Sequence, residues 1–305
     1  MKPGIYHDLP AEEYHAADAV SRSGLTKIDR SIDHYHEYVA NGIEDSKALR
    51  TGTAIHTAIL EPEKFQHDYI DSKIPDECGG MYHGYRTTAE LASHGLGAEH
   101  IAAKTDTKLN TIKAHLKRDD VLALIEHYEK FPAGSTPEIE PDELDTALRC
   151  RDAVLEHPTA SQILTDGKPE MSHFWEDEET GILCKCRPDW QRSDGILADV
   201  KSASDATPEA FRRSLHRYQY YVQAPFYLDG VTATTDQPYE KFLFIVVETG
   251  PVPGVRIYDL DDYAIERGRD DYRRYLDELH KAQTVEGYWT GYPTAIESIS
   301  LPKWA

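Results

Sequence analysis

Two carboxylates and a lysine lie close together in residues 181–201, GILCKCRPDWQRSDGILADVK. The stretch reads as two short strands, 182–189 and 196–201. Between them Gln191-Arg192-Ser193-Asp194-Gly195 ends in the Asp-Gly of a tight turn. Side chains alternate along a strand, so Asp199 and Lys201 share one face, about 6.6 Å apart along the axis, while Ala198 and Val200 face a core. An antiparallel partner brings Asp189 alongside Asp199. Two carboxylates so close repel unless a cation lies between them, and hard oxygen ligands with open positions suit Mg²⁺ or Mn²⁺. Lys201 beside such an ion can orient a water or steady charge growing on a phosphate. Asp-x-Lys alone is common and usually marks a solvated strand face. Its weight here comes from Asp189 across the hairpin and from the elements on either side.

Those elements must hold the strands in place. A strand over 170–176 precedes the hairpin; its opening residue Glu170 is either solvated or a further carboxylate for the site. A helix begins at Ser21-Arg22-Ser23-Gly24-Leu25, with Ser21 or Ser23 as N-cap and Leu25, Ile28 and Ile32 inward. Capping is the ordinary role of such serines, although a helix N-terminus with Arg22 can also hold a phosphate. Thr51 or Thr53 caps a second helix that stops before Pro62 and buries Ile55, Ile59 and Leu60. His56 adjoins that face, where a lone histidine is ordinarily a core residue, yet neutral imidazole is a good metal ligand. After the hairpin, Thr207-Pro208-Glu209 starts a helix carrying Arg212, Arg213 and Arg217, then Tyr218, Tyr220, Tyr221, Gln223 and Tyr227. Pro225 should kink it and Gly230 stop it. Clustered arginines with tyrosines suit a phosphate backbone and stacked bases, or simply a surface helix with a tyrosine stripe. Strands over 242–247 and 255–258 and a long charged helix over 261–283 follow. Residues 82–128 read as helical and locally basic, 131–142 as a Pro-rich break, and 142–165 as a helix ending near Pro158 and then a short one.

Composition bounds the rest. The chain has 305 residues, 40% of them hydrophobic, enough for a real core. No apolar run approaches the roughly 20 residues of a membrane span, and residues 1–10 lack an apolar signal core, so the expectation is a cytoplasmic protein with no membrane partner. Cys78, Cys150, Cys184 and Cys186 are too few and scattered for a disulfide framework. The last two, alternating on one strand face, read as buried free thiols. The net charge of −21 is awkward for a nucleic-acid enzyme: either the basic residues are clustered, or the protein works in high salt, where an acidic surface keeps it soluble.

The segments GTAIHTAILEPEKF, WEDEETGILCKCRPD, ADVKSASD, YYVQAPFYLDG and SLPKWA together resemble the PD-(D/E)xK nucleases, and within them the nuclease domain of exodeoxyribonuclease VIII, the RecE type. The resemblance runs from Ser21 to the end, apart from residues 84–130. It implies an α/β fold in one domain over 1–305: a central mixed sheet flanked by helices in α-β-β-β-α-β order, with 84–130 as a helical insertion. It implies metal ligation by His56, Asp189, Asp199 and the Val200 carbonyl, water orientation by Lys201, and Gln223 and Tyr227 beside the site. It further implies Mg²⁺, with Mn²⁺ as a substitute, and digestion of one strand of duplex DNA from its 5′ end. The 3′ overhang left behind serves a single-strand annealing protein. The assembly is a homo-oligomeric ring, a tetramer being the candidate count. Iron–sulfur relatives need cysteines near the C-terminus, and none follows Cys186, so no cluster is expected. An endonuclease of the same superfamily and a non-catalytic DNA-binding protein with this fold are the alternatives.

Within the insertion, residues 98–116 resemble the helix-turn-helix of LuxR-type regulators. Ile101 and Ala102 fall at buried positions of the first helix, and Thr111, Ile112, Lys113, His115 and Leu116 along the second. The match departs at Thr105 and Thr107, where that family has apolar residues. Residues 99–118 carry five basic groups against two acids, +3 in a chain of −21. Such a pair of helices either pads the nuclease or grips duplex DNA through Lys108, Lys113 and Lys117.

Overall fold

The computed structural model describes residues 1–42, 45–70, 88–89, 91–92, 96–118, 122 and 139–301. Cys78, residues 131–138 of the Pro-rich break, most of 82–95 and 119–130, and the final PKWA lie outside them. The chain forms two compact units, residues 1–45 with 152–305, and residues 46–151.

In chain order the first unit begins with β1 (Gly4–Tyr6), α1 (Ala11–Ala16), β2 (Val20–Ser21), α2 (Arg22–Ile28) and α3 (Ile32–Asn41). The second unit holds α4 (Lys47–Leu60), α5 (Pro62–Phe65), a π-helical turn Gln66–Ile70, α6 (Ala98–Thr105) and α7 (Leu109–His115). The boundary falls inside α8 (Pro141–Glu156). The first unit then resumes with α9 (Pro158–Ile163), β3 (Lys168–Pro169), β4 (Ser172–Glu176), β5 (Leu183–Cys186), β6 (Trp190–Gln191) and β7 (Ile196–Ala203). It closes with α10 (Pro208–Arg217), α11 (Tyr220–Thr234), β8 (Lys241–Glu248), β9 (Val255–Asp259) and α12 (Asp262–Thr284).

The strands of the first unit fall in two sheets, ordered β1-β4-β5-β2 and β3-β6-β7-β8-β9. Of the expected strand over 182–189 only β5 forms; residues 187–189 link it to β6, which starts at Trp190 in the other sheet. Pro188, which has no N–H for a ladder, sits at the break. β6 pairs antiparallel with β7, and β7 parallel with β8 over eight residue pairs, with α10 and α11 as the crossover. Phe242, Phe244 and Val246 of β8 point into one core with Leu197, Val222, Phe226 and Tyr275. Ile245 and Val247 are buried on the opposite face. A strand buried on both faces is what a central parallel pair requires.

Three helix boundaries differ from the sequence reading. The cap of α4 is Ser46, whose hydroxyl accepts from the Leu49 N–H at 3.2 Å, so Thr51 and Thr53 lie inside the helix. The single helix expected from Thr207 onward is two, because Gln219 turns left-handed at φ 52°. Its side chain holds that turn, donating to Asp29 and accepting from the Tyr275 hydroxyl. Gly230 does not stop α11, which runs to Thr234; a Cβ there would lie 2.3 Å from the Trp175 ring, so this glycine admits an aromatic from β4. Pro225 lies inside α11 and leaves the Tyr221 carbonyl without its helical donor. Gly268 of α12 packs onto that same carbonyl, where a Cβ would come within 1.9 Å.

In the second unit, α6 and α7 are joined through Asp106 in the left-handed conformation, and Ile101 and Ile112 are fully buried. Thr105 and Thr107 satisfy their hydroxyls on the Ile101 and Thr105 carbonyls, which explains how polar residues sit at half-buried turn positions. No helix among the described residues is long and apolar enough to cross a membrane.

Candidate active site

The register of the short β6–β7 pair sets the site. Trp190 lies opposite Ala198, so the preceding Asp189 falls opposite Asp199. Asp189 is 8% exposed, and its Oδ2 accepts the Val200 N–H at 2.7 Å. That bond ties the carboxylate to the backbone of β7. The Asp189 carbonyl accepts from the N–H of Glu170, which is not in a strand but in the link between β3 and β4, at φ 51°. A non-glycine residue held left-handed costs about 1 kcal/mol or more and points to a local demand on its placement. Here that placement brings a Glu170 carboxylate oxygen within 4.8 Å of one of Asp189.

Asp199 is 1% exposed. Its Oδ1 accepts a short hydrogen bond from the Gln223 amide of α11. Its Oδ2 forms an ion pair with Lys201 Nζ at 2.5 Å but no hydrogen bond, so that oxygen keeps acceptor capacity. Asp199 and Lys201 thus share one face, while Ala198 and Val200 are buried on the other. The Lys201 ammonium lies 4.7 Å from the Tyr220 ring centre, and the Arg22 guanidinium 5.8 Å from the same ring. Arg22 also donates to Gln223 Oε1 at 2.9 Å and to the Tyr218 carbonyl at 3.3 Å. Burial pushes the Tyr227 hydroxyl far above its usual range. Arg22 opposes this, and the nearby Asp199 and Asp189 charges add to it, so Tyr227 is a neutral donor beside both carboxylates. The Tyr14 hydroxyl is likewise raised, by burial first and then by Tyr227.

The first unit therefore gathers Asp189, Asp199, Lys201, Gln223, Tyr227, Glu170 and Arg22. Ser21 acts as the cap of α2, accepting from the Gly24 N–H at 3.4 Å, and Ser23 lies half-buried in its first turn. Arg212, Arg213 and Arg217 stay on the exposed side of α10, Arg213 paired with Glu209 at 3.2 Å. His56 is half-buried on α4, and Lys108, Lys113 and Lys117 are exposed, all in the second unit. Cys150, Cys184 and Cys186 are buried, and burial pushes the Cys184 and Cys186 thiols up.

Sequence reasoning missed several polar groups. His173 is fully buried between Thr234 Oγ1 and Gln191 Oε1, each at 2.7 Å, and burial lowers its pKa to about 4. Lys185 reaches the carbonyls of Tyr14, His15 and Ala17 at the end of α1. A cavity of about 540 Å³ opens elsewhere in this unit, lined by Trp175, Asp177, Asp229 and Arg273 among others. None of the gathered residues lines it, so the chemistry belongs to the strand ends and not to the cavity.

The donor set fits a divalent cation: anionic oxygens of Asp189 and Glu170 within reach of each other, and an Asp199 oxygen without a hydrogen bond. PDDEXK nucleases generally use such metals. No curated protein matches this chain. Among solved structures, a candidate exonuclease from Eubacterium rectale is similar over 97% of this chain and 97% of its own, at 12% identity and a TM-score of 0.57. At that identity the likeness shows the fold. The structure of SSO0001 aligns over 65% of this chain and 87% of its own, at 14% identity and a TM-score of 0.25, too low to carry an argument. A family profile described as a PDDEXK-like domain of unknown function (DUF3799) matches residues 21–291. The chain belongs to that family, and through it to the PD-(D/E)xK nuclease superfamily.

Proposed function

We propose that the protein is a Mg²⁺-dependent exonuclease that digests one strand of duplex DNA from its 5′ end. The observation that carries this reading is the joining of Asp189, Asp199, Lys201 and Gln223 at the edge of one strand pair. Asp189, Asp199 and the Val200 carbonyl, with Glu170 or, as the resemblance implies, His56, would hold a divalent cation, which would supply positive charge against the phosphate and a more acidic water. Asp189 is held in place by the Val200 N–H, and Asp199 by Gln223, so neither carboxylate needs to reorganise. Lys201 keeps a positive charge beside Asp199, where it orients the attacking water and answers charge growing on the phosphate. Tyr227 stays protonated and can donate to a phosphate oxygen.

The resemblance to RecE-type enzymes extends the reading to partners: a homo-oligomeric ring around DNA, and an annealing protein that takes the 3′ strand. Grip on the duplex comes from the lysines of α6 and α7 and from Arg212, Arg213 and Arg217. Four of the chain's sixteen lysines, Lys104, Lys108, Lys113 and Lys117, fall within fourteen residues, all exposed and without an ion pair among the described residues. The deciding experiment digests duplexes labelled at the 5′ or the 3′ end, with Mg²⁺ and with EDTA. Loss of the 5′ label first, only with Mg²⁺, supports the proposal. Cleavage of closed circular duplex would make the protein an endonuclease, and no cleavage with Mg²⁺ would leave a DNA-binding protein.

A further inference from the structure

The amide of Gln223 stands between a group that can only donate and a group that can only accept. Arg22 offers N–H donors alone, and the Asp199 carboxylate offers acceptors alone. Gln223 is 2% exposed, so water cannot take either role. Its Oε1 must face Arg22 and its NH₂ must face Asp199, as the contacts at Arg22 Nη2 and Asp199 Oδ1 show. Without Arg22 the amide loses one of the two partners that fix its polarity, and only Asp199 still opposes a flip. A flipped amide would then present oxygen to oxygen at Asp199. Arg22 is anchored for this task by the Tyr218 carbonyl and by the Tyr220 ring, which it shares with Lys201.

We infer that Arg22 is a positioning residue that fixes the orientation of Gln223 and, through it, the cation-facing oxygen of Asp199. The inference rests on the nuclease reading and gives Arg22 a role different from contact with a DNA phosphate. Partners one layer behind metal ligands typically contribute about 10–100-fold in affinity or activity.

The test uses the full chain and four variants: Arg22→Met, Arg22→Lys, Gln223→Leu and the Arg22→Met/Gln223→Leu double. Three quantities are read: kcat and KM on end-labelled duplex with Mg²⁺, Mn²⁺ affinity by calorimetry without DNA, and duplex affinity in EDTA. Arg22→Met should lower kcat about 10–100-fold and weaken Mn²⁺ binding, with KM and duplex affinity in EDTA unchanged. The double variant should be no worse than Gln223→Leu, because Arg22 acts through that one side chain. Arg22→Lys, which keeps one donor, should recover part of the loss, and it carries the comparison should Arg22→Met fail to fold. Effects that multiply in the double variant, or duplex binding in EDTA that falls along with kcat, would overturn the inference and place Arg22 on DNA. A parent that cleaves nothing sinks the nuclease reading alone. Undiminished Mn²⁺ affinity in Arg22→Met would still overturn the positioning role.

Discussion

Asp199→Asn changes one atom's charge in a site that is 1% exposed, so its consequences can be worked from contacts. The carboxylate accepts from Gln223 on one oxygen and pairs with Lys201 on the other. An asparagine can satisfy only one of them. With its oxygen toward Gln223, its NH₂ meets the Lys201 ammonium; turned around, its NH₂ meets the Gln223 NH₂. Either way one contact to a charged group is lost, worth about 1.5–3 kcal/mol. The lost ion pair is the smaller alternative, because Lys201 keeps the Tyr220 ring and some solvent. A loss near 2 kcal/mol lowers Tm by about 4–8 °C for a unit of roughly 200 residues. That is the expected shift of thermal unfolding in EDTA. With a divalent cation the gap should widen, because only the parent gains from binding: about 2.7 kcal/mol at a hundredfold excess over Kd. Hydrolysis of labelled duplex by the variant should be undetectable. An unchanged Tm in EDTA would mean that the Gln223 and Lys201 contacts are not made in solution. Turnover near the parent's would remove Asp199 from the site.

Lys201→Ala should lose turnover while Mn²⁺ still binds by calorimetry, since the lysine contributes charge and not a ligand atom; lost cation binding with retained turnover would reverse the roles of Lys201 and Asp199. Folding stability should fall as pH drops through the window from 6.5, the ordinary value for histidine, to about 4, the folded value for His173. In that window the unfolded chain binds a proton that the folded one excludes, so the sign is a loss on acidification, at most about 3 kcal/mol for this group. Urea titrations of the parent and of His173→Gln between pH 7 and 4.5 check it, and equal slopes would clear His173. The triple change of Lys108, Lys113 and Lys117 to Ala should weaken binding to long duplex and shorten digestion tracts, leaving very short duplexes unaffected. Each lost phosphate contact should flatten the log–log dependence of affinity on salt by about 0.9, and an unaltered slope would make the α6–α7 pair a packing element.

The parts of the site that share a strand or a turn were readable, because the two-residue period and the hairpin connection are local rules. They put Asp199 and Lys201 on one face and Asp189 opposite. Local rules also sufficed for Pro208 at the first position of α10. They failed where several residues compete for one role. Ser46, Thr51 and Thr53 could all start α4, and which one does depends on where the chain turns before it. They failed again where a residue serves a distant partner: Gly230 reads as a helix stop until Trp175 from β4 is seen against it.

Arg22 and Gln223 are 201 residues apart, and no periodicity links them. Their contact exists because β2 runs parallel beside β5 and delivers the first turn of α2 toward the first turns of α11. The sequence alone offered two uses for Arg22, a bystander to a serine cap or a phosphate ligand at a helix start. Neither includes an amide whose direction must be chosen. Catalytic carboxylates announce themselves by type and spacing, since few other residues bind a cation. The groups that orient them are ordinary arginines, glutamines and tyrosines, and only the fold says which of these stand behind the carboxylates.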